Sequence, residues 1–499
     1  MRRLWLLVVL LLVGSLVPSS SAATNPAILA RFQLDNPPSW QTAEQKLHLG
    51  AWVKHSSPVI TNLGQGPVIL VANQGGKLYA LRYKDRKITK VWSADIGTFV
   101  DSSPAVGDIN GDGCKEVLVG VGNGNRPLGS GVHVFDCRGR KLGFWTAPAQ
   151  KGGPSGHVGV FTTPAIGDIN GNGKPDVVYG SFNTLIYAKD GKGKNLPGWP
   201  RPNHDTVWSS PALADLNKDG KREVIVGTDL GGGAAVHGCK KEARGTISIF
   251  AGSTGKFVPK SPNCLDTPIW SSPAVQDLNG DGTLDVVIGT NNYMENGVNV
   301  GGAERLRAFD TRTGKRLWTA VFRRGARIMS SPAIGDVGGD GQMDIAVGTI
   351  AGDGGFYLLD SRTGRIKWRR QVPDTCSACQ FMASPVIADF DGDGRAEVLA
   401  NSQDGGLNVW DKWGNWLVKD LHMLQEDGTG YESYMLWNAP AVGDLNGDGK
   451  AEIVIAGGVP TGVSKTNYRI GKVWVLGSAG RGGAPWPLFK KNATRWSAK

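Results

Sequence analysis

At 499 residues the chain can hold a few ordinary domains or one large repeat array, and 72 glycines beside only 20% charged residues argue against disorder. The formal net charge of +11 favours anionic partners such as acidic polysaccharide, while the lack of a basic helix or RNA-binding motif gives no reason to expect specific nucleic-acid binding. Helical periodicity is scarce and short β-branched runs bounded by Gly, Asp and Asn recur throughout, so an all-β fold is expected.

The N-terminus reads MRRLWLLVVLLLVGSLVPSSSAAT, with basic Arg2 and Arg3, an apolar run from Leu4 to Val17 and small residues from Ser20 to Ala23. This pattern predicts a signal segment over 1–23; the competing reading, a membrane anchor, asks for a longer apolar run. With no second apolar segment long enough to span, the mature protein is expected to be secreted or extracellular, or periplasmic or surface-associated in a bacterium. Residues 24–51 are expected to pack on the domain that follows, which spans 52–490, and 491–499 to form a tail.

From there one phrase repeats. It appears as SSPVITNLGQGPVILVA from Ser56, SSPAVGDINGDGCKEVLVG from Ser102, TTPAIGDINGNGKPDVVYG from Thr162 and SSPALADLNKDGKREVIVG from Ser209. It returns as SSPAVQDLNGDGTLDVVIG from Ser271, SSPAIGDVGGDGQMDIAVG from Ser330, ASPVIADFDGDGRAEVLA from Ala383 and NAPAVGDLNGDGKAEIVIAG from Asn438. Each phrase predicts two strands around an acidic turn, and a third and fourth strand follow, as in ERLRAFDTRTGKRLW ending at Trp318. A small sheet of this kind cannot bury both faces alone, whereas radial stacking closes a continuous core. The expectation is a β-propeller of eight four-stranded blades, with seven blades the alternative. Trp92, Trp145, Trp199, Trp318, Trp368 and Trp486 recur late in the repeats and are expected to pack blade against blade.

The turns carry oxygen donors at positions 1, 3 and 5, glycine at 6 and an acid at 9, a spacing and hardness that suit Ca²⁺. The candidate ligands are Asp108, Asn110, Asp112 and Glu116; Asp168, Asn170, Asn172 and Asp176; Asp215, Asn217, Asp219 and Glu223; and Asp277, Asn279, Asp281 and Asp285. They continue with Asp389, Asp391, Asp393 and Glu397, with Asp444, Asn446, Asp448 and Glu452, and with a weaker set, Asp336, Asp340 and Asp344, that has Gly338 at position 3. The first phrase, with Asn62, Gly64 and Gly66, is not expected to bind metal. Up to seven calcium sites follow, against the plainer reading of ordinary Asx and Gly turns.

The phrase DLNGDGxxDVVIG after SSPAV resembles the FG-GAP/VCBS repeat of integrin-α-type and many secreted bacterial propellers, over roughly Trp52 to Phe489. The resemblance implies the propeller and its calcium; the family includes adhesion modules, lectins and some polysaccharide lyases. Unlike integrins, this sequence has eight phrases and nothing like their leg domains after them.

In a propeller the acidic turns lie on one face, and the loops that join blades lie on the other. The residue before each S-S-P-like triplet then enters the channel mouth on the second face: His55, Asp101, Phe161, Trp208, Trp270, Met329, Met382 and Trp437. These are the candidate ligand-binding residues, His55, Asp101, Phe161, Trp208, Trp270 and Trp437 foremost, against plugging of the channel by its own side chains. Four insertions, Val121 to Gly131, Asp229 to Gly245, Asn291 to Glu304 and Val459 to Ile470, are expected as loops on the same face. The cysteines are expected to pair as Cys114–Cys137, Cys239–Cys264 and Cys376–Cys379.

No Ser–His–Asp or zinc signature emerges, and the leading reading is a calcium-stabilised extracellular binding or adhesion module for an anionic glycan or a cell-surface or matrix protein. The enzyme alternative is a polysaccharide lyase or another carbohydrate-active enzyme. A third is a quinoprotein, because AFDTRTGKRLW is similar to the docking motif of quinone-cofactor propellers.

Overall fold

Each repeated phrase folds as an antiparallel strand pair, as in the fifth blade, where Ala274–Gln276 pairs with Asp285–Gly289 across the acidic turn. Arg305–Asp310 and Arg316–Val321 complete that sheet in sequence order. The pattern recurs to give eight four-stranded sheets in a β-propeller, so the eight-bladed expectation holds and the seven-bladed one falls. From blade 1 to blade 8 the innermost strands are Val59–Asn62, Ala105–Gly107, Ala165–Gly167, Ala212–Ala214, Ala274–Gln276, Ala333–Gly335, Val386–Ala388 and Ala441–Gly443. The structure is a computed structural model that describes residues 26–35, 53–123, 126–150, 158–203, 205–229, 238–240, 243–291, 294–295, 298–299, 305–323, 325–352, 354–371, 380–423, 436–458 and 471–481. Among these residues no helix is long and apolar enough to cross a membrane.

The ring closes with a strand that belongs to no phrase. Blade 8 takes Ala441–Gly443, Lys450–Gly458 and Gly471–Arg481 from the C-terminal end, and its outermost strand is Ile28–Gln33. The propeller thus begins inside the segment 24–51, and its two chain ends are tied by a backbone ladder. A second difference concerns Val121 to Gly131. The strands Glu116–Asn123 and Arg126–Phe135 continue their pairing to Asn123 and Arg126, so this stretch is an extended hairpin with a register shift instead of a loop. Its glycines imitate a loop in composition, but the β ladder carries on through them.

Packing between blades explains the rest of the phrase. The second strand, such as Asp285–Gly289 or Asp344–Gly348, is buried along its whole length because neighbouring blades cover both faces. Its final glycine is a close-approach position: a Cβ on Gly289 would stand 2.3 Å from Cγ2 of Ile328 in the next blade. At the rim the late tryptophans lie on the next blade's outer hairpin. Trp318 donates Nε1–H to Ser361 O at 2.8 Å, Trp368 to Lys412 O at 3.0 Å and Trp199 to Gly252 O at 2.9 Å. Trp92 does the same with Cys137 O at 3.2 Å, so these residues seal the blades together. Trp486 lies outside the described residues.

The second residue of each S-S-P triplet builds a belt around the channel. Ser57 N–H donates to Ser103 Oγ at 2.9 Å, Ser103 to Thr163 Oγ1 at 3.3 Å, Thr163 to Ser210 Oγ at 2.9 Å and Ser210 to Ser272 Oγ at 3.0 Å. Ser272 continues to Ser331 at 3.0 Å, Ser331 to Ser384 at 2.9 Å, and Ala439 N–H returns to Ser57 Oγ at 3.1 Å. The belt breaks where Ala439 offers Ser384 no hydroxyl. Removing one buried acceptor leaves a buried N–H unpaired, so Ser272→Ala is expected to cost about 1–3 kcal/mol in urea unfolding. Ala439→Ser, which supplies the missing acceptor, is expected to add about 1 kcal/mol.

Candidate functional site

The acidic turns and the channel mouth each gather chemistry-bearing side chains. In the turns, hydrogen bonds fix the loop first. Asp277 accepts Gly280 N–H at 2.7 Å and Gly282 N–H at 2.9 Å, Asn279 Oδ1 accepts Asp281 N–H at 2.9 Å, and Asp281 accepts Thr283 N–H at 2.7 Å. Glycines at positions 4 and 6 take φ near +80°, the left-handed conformation that this tight bend needs. The closing acid at position 9 then reaches back from the second strand to the N–H of position 2. Examples are Glu116 to Ile109 at 2.9 Å, Glu223 to Leu216 at 2.8 Å, Asp285 to Leu278 at 3.1 Å, Glu397 to Phe390 at 2.7 Å and Glu452 to Leu445 at 2.8 Å.

That closing carboxylate is buried beneath others of its own charge. Burial first, and then neighbouring carboxylates of the turn, Asp391 foremost for Glu397 and Asp168 with Asp190 for Asp176, push Glu223, Asp285 and Glu452 up to about 7, Glu397 to about 8 and Asp176 to about 6, against the backbone N–H bonds that lower them. Each cluster therefore needs positive charge or donor hydrogens, and the turns meet that need differently. In blades 2 and 8 the position-3 amide bridges the acids: Asn110 Nδ2 lies 3.2 Å from Asp112 and 2.9 Å from Glu116, and Asn446 Nδ2 lies 3.1 Å from both Asp448 and Glu452.

Blades 6 and 7 depart in opposite directions. In blade 6, where Gly338 replaces the amide, the Lys367 ammonium sits 2.5 Å from fully buried Asp344. The lysine supplies part of the charge that a dication would bring, while burial still pushes Asp344 up to about 6, so Asp336, Asp340 and Asp344 fit a metal less well than the other turns. In blade 7 position 3 is Asp391, and carboxylate oxygens of Asp389, Asp391 and Glu397 lie within 4.8 Å of one another without an amide between them. This all-oxygen, uncompensated set fits a hard dication best. In blade 2, Cys114 adjoins Asp112 and Glu116 but is bonded to Cys137 and offers no thiolate.

The channel mouth brings together every residue expected there: His55, Asp101, Phe161, Trp208, Trp270, Met329, Met382 and Trp437 line one pocket above the hydroxyl belt. Its two sides differ in character. On one, the rings of Phe161 and Phe182 stack at 4.3 Å, Phe182 meets Trp208 at 4.5 Å, and Trp208 meets Trp270 at 6.1 Å. Trp208 is 38% exposed, large for an aromatic with this many neighbours. On the other, His55 Nδ1 lies 3.2 Å from Asp101 Oδ1, and Gln74 Nε2 donates to the same oxygen at 2.8 Å. Burial raises the Asp101 carboxyl, but His55, Lys54 and Gln74 outweigh it and hold it below its ordinary range. The Lys54 ammonium also lies 4.7 Å from the Trp437 ring centre.

Three residues here escape the triplet rule. Gln74, Phe182 and Asp229 each stand two positions beyond the end of the second-strand run, after Ala72, Gly180 and Gly227, and form a second tier behind the mouth. Asp229 accepts Trp270 Nε1–H at 3.2 Å and is pushed up to about 7 by burial and by Asp205. The repeat alignment holds this signal, since the position holds a fixed offset from the phrase while its residue changes from blade to blade. The disulfides Cys114–Cys137 and Cys239–Cys264 form as expected, and Cys376–Cys379 lies outside the described residues.

The FG-GAP-like repeat matches residues 168–226 and 389–455, and the FG-GAP repeat matches 436–476. A further model, Outer membrane protein assembly factor BamB, matches 265–415, the stretch that contains Trp318 and Trp368. Among solved structures, Sqt1 of Saccharomyces cerevisiae is 11% identical with a TM-score of 0.58, over 91% of this chain and 100% of that one. Quinohemoprotein alcohol dehydrogenase of Comamonas testosteroni is 13% identical with a TM-score of 0.54, over 91% and 77%. The Dos1 propeller is 14% identical with a TM-score of 0.50, over 92% and 96%. At such identities the likeness is one of fold. No curated protein matches the chain.

The closing acids set a pH signature for the metal-free protein. Their folded pKa values lie above those of the unfolded chain, so their contribution to stability is complete below about pH 4 and is lost as pH rises through about 7 to 8. In chelator the melting temperature is expected to fall across that window, and calcium is expected to flatten the slope.

Proposed function

Because this chain is an FG-GAP-repeat β-propeller, we propose that it is a non-cytosolic, calcium-stiffened binding module that takes a sugar ring of an anionic glycan at its channel mouth. Two disulfides favour an oxidising compartment. The observation that carries the reading is the two-sided mouth. An aromatic arc of Phe161, Phe182, Trp208 and Trp270 suits the apolar face of a sugar, and the Asp101–His55–Gln74 side offers acceptors and donors for its hydroxyls. Asp101 is already fixed by its neighbours, so a ligand meets a preorganised group.

Calcium enters as support for that mouth. Asp389, Asp391, Asp393 and Glu397 in blade 7 are the foremost holders, followed by the amide-containing turns of blades 2, 3, 4, 5 and 8. A bound dication supplies the positive charge that these buried acids lack. The blade-6 turn is left to Lys367.

One observation favours a second reading, elimination on an acidic polysaccharide. Asp101 holds the Nδ1 side of His55, the arrangement that orients an imidazole to take a proton through Nε2. The quinoprotein reading loses its motif to packing, since Trp318 and Trp368 serve the seams between blades.

Binding of acidic oligosaccharides is expected to quench tryptophan fluorescence in the native protein, and Trp208→Ala is expected to weaken affinity about tenfold, near 1.4 kcal/mol, with the fold intact. Unchanged affinity in that variant would remove the mouth from the reading. Release of an unsaturated, ultraviolet-absorbing product that stops in His55→Gln would transfer the case to the lyase. Chelation is expected to lower the melting temperature, and Asp391→Asn to remove the tightest calcium site while Lys367→Met leaves the stoichiometry unchanged or raises it by one.

A further inference from the structure

A second polar site lies away from both the turns and the mouth, between the outer edges of blades 4 and 5. The third strand of blade 5, Arg305–Asp310, reads R-L-R-A-F-D, so period-two alternation puts Arg305, Arg307 and Phe309 on one face. On the paired outermost strand Thr319 stands opposite Arg307, and Arg316 opposite Phe309. The facing wall is Cys264, Leu265 and Asp266 at the end of blade 4's outermost strand, Asn263–Leu265, and together these residues line one groove. The disulfide from Cys239 to Cys264 anchors that wall.

The groove is unbalanced in charge and in hydrogen bonding. Asp266 accepts from Arg305 at 2.8 Å and from Arg307 at 2.5 Å, which among the described residues lining the groove leaves one carboxylate for three guanidinium groups. The Arg307 side chain is only 3% exposed, and a single ion pair would satisfy it without the other two arginines. Arg307 Nε and Thr319 Oγ1 are buried without a hydrogen-bond partner, and Arg316 forms no hydrogen bond or ion pair among the described residues. Burial lowers the pKa of the Arg307 guanidinium, Asp266 opposes that shift, and the neighbouring charges of Arg305 and Arg316 add to it. Buried donors call for acceptors, and three fixed cations call for more negative charge than one aspartate carries.

We propose that this groove is an oxyanion-binding site, with Arg305, Arg307 and Arg316 supplying charge, Thr319 a hydroxyl donor, and Asp266 competing with the ligand for two of the guanidinium groups. Its ligand is a sulfate, phosphate or carboxylate group, free or carried on a larger molecule. The site does not depend on sugar binding at the mouth.

The test is calorimetric titration of the full-length, calcium-loaded protein at constant ionic strength with three probes: inorganic sulfate, inorganic phosphate and acetate. Binding of at least one is expected, and the pattern among them separates tetrahedral from carboxylate ligands. Arg316→Ser, at an exposed and unpaired position, is expected to weaken that binding about tenfold with an unchanged melting temperature. Asp266→Asn removes the competing carboxylate and is expected to tighten it. Trp208→Ala is expected to bind these probes as the parent does, which separates this site from the mouth. Failure of all three probes to bind, equal affinity in Arg316→Ser, or weaker binding in a folded Asp266→Asn would each overturn the proposal.

Discussion

The constraint on which this molecule turns is a carboxylate that opens the second strand of seven blades, buried and surrounded by others of its own charge. It is needed there because the bend exposes the N–H of position 2, and the closing acid is the group that reaches it, as Glu397 reaches Phe390. The cost is a buried charge under a ring of aspartates, visible in the upward displacement of Glu397 to about 8. A neutral acceptor would avoid that cost but would lose the charge-assisted strength of the bond. Each blade therefore solves a local electrostatic problem, and the solutions differ: an amide in blades 2 and 8, a lysine in blade 6, and neither in blade 7. The variation separates a turn-forming role, which every closing acid but Asp344 fills by accepting a backbone N–H, from a cation-holding role that only some turns suit.

A rigid turn matters because the mouth is assembled from pieces that never touch in sequence. Its lining residues come from eight separate blades, so their spacing depends on how firmly each blade is fixed to the next. Three devices do this at increasing radius. The hydroxyl belt pairs neighbouring inner strands, the close glycine approach, such as Gly289 on Ile328, sets the middle, and tryptophan on the next hairpin closes the rim. Errors at any radius would open the ring, which is why the phrase changes so little while the residues before and after it vary freely.

Legibility in the sequence follows this division. Whatever packs between blades repeats with the blade, so the strand pairs, the blade number, the late tryptophans and the pairs Cys114–Cys137 and Cys239–Cys264 could be read from the phrase. The mouth was readable because its residues hold a fixed offset from the triplet. What could not be read lacks a repeat. Ile28–Gln33 is an outermost strand with one ladder partner and a half-exposed surface, so no motif marks it. Lys367 reaches Asp344 from an outer strand, and Asp266 meets Arg305 and Arg307 across a blade boundary, pairings that only the assembled ring creates. Gln74, Phe182 and Asp229 fall between: their offset is regular, but their chemistry is not.

The two faces of the ring also divide its charge. Acidic turns crowd one face, where aspartate and asparagine oxygens point at backbone N–H groups and at one another. The mouth lies on the opposite face, and the net charge of +11 is an excess of lysine and arginine over the chain's carboxylates. Lys54 beside Trp437 of the mouth and the Arg305–Arg307–Arg316 groove at the rim are part of that excess. An approaching polyanion is repelled by metal-free turns and drawn toward the mouth side. On the proposal that dications fill the turns, the repulsion would weaken and the attraction remain, so ions that stiffen the scaffold would also alter how selectively it orients a charged partner.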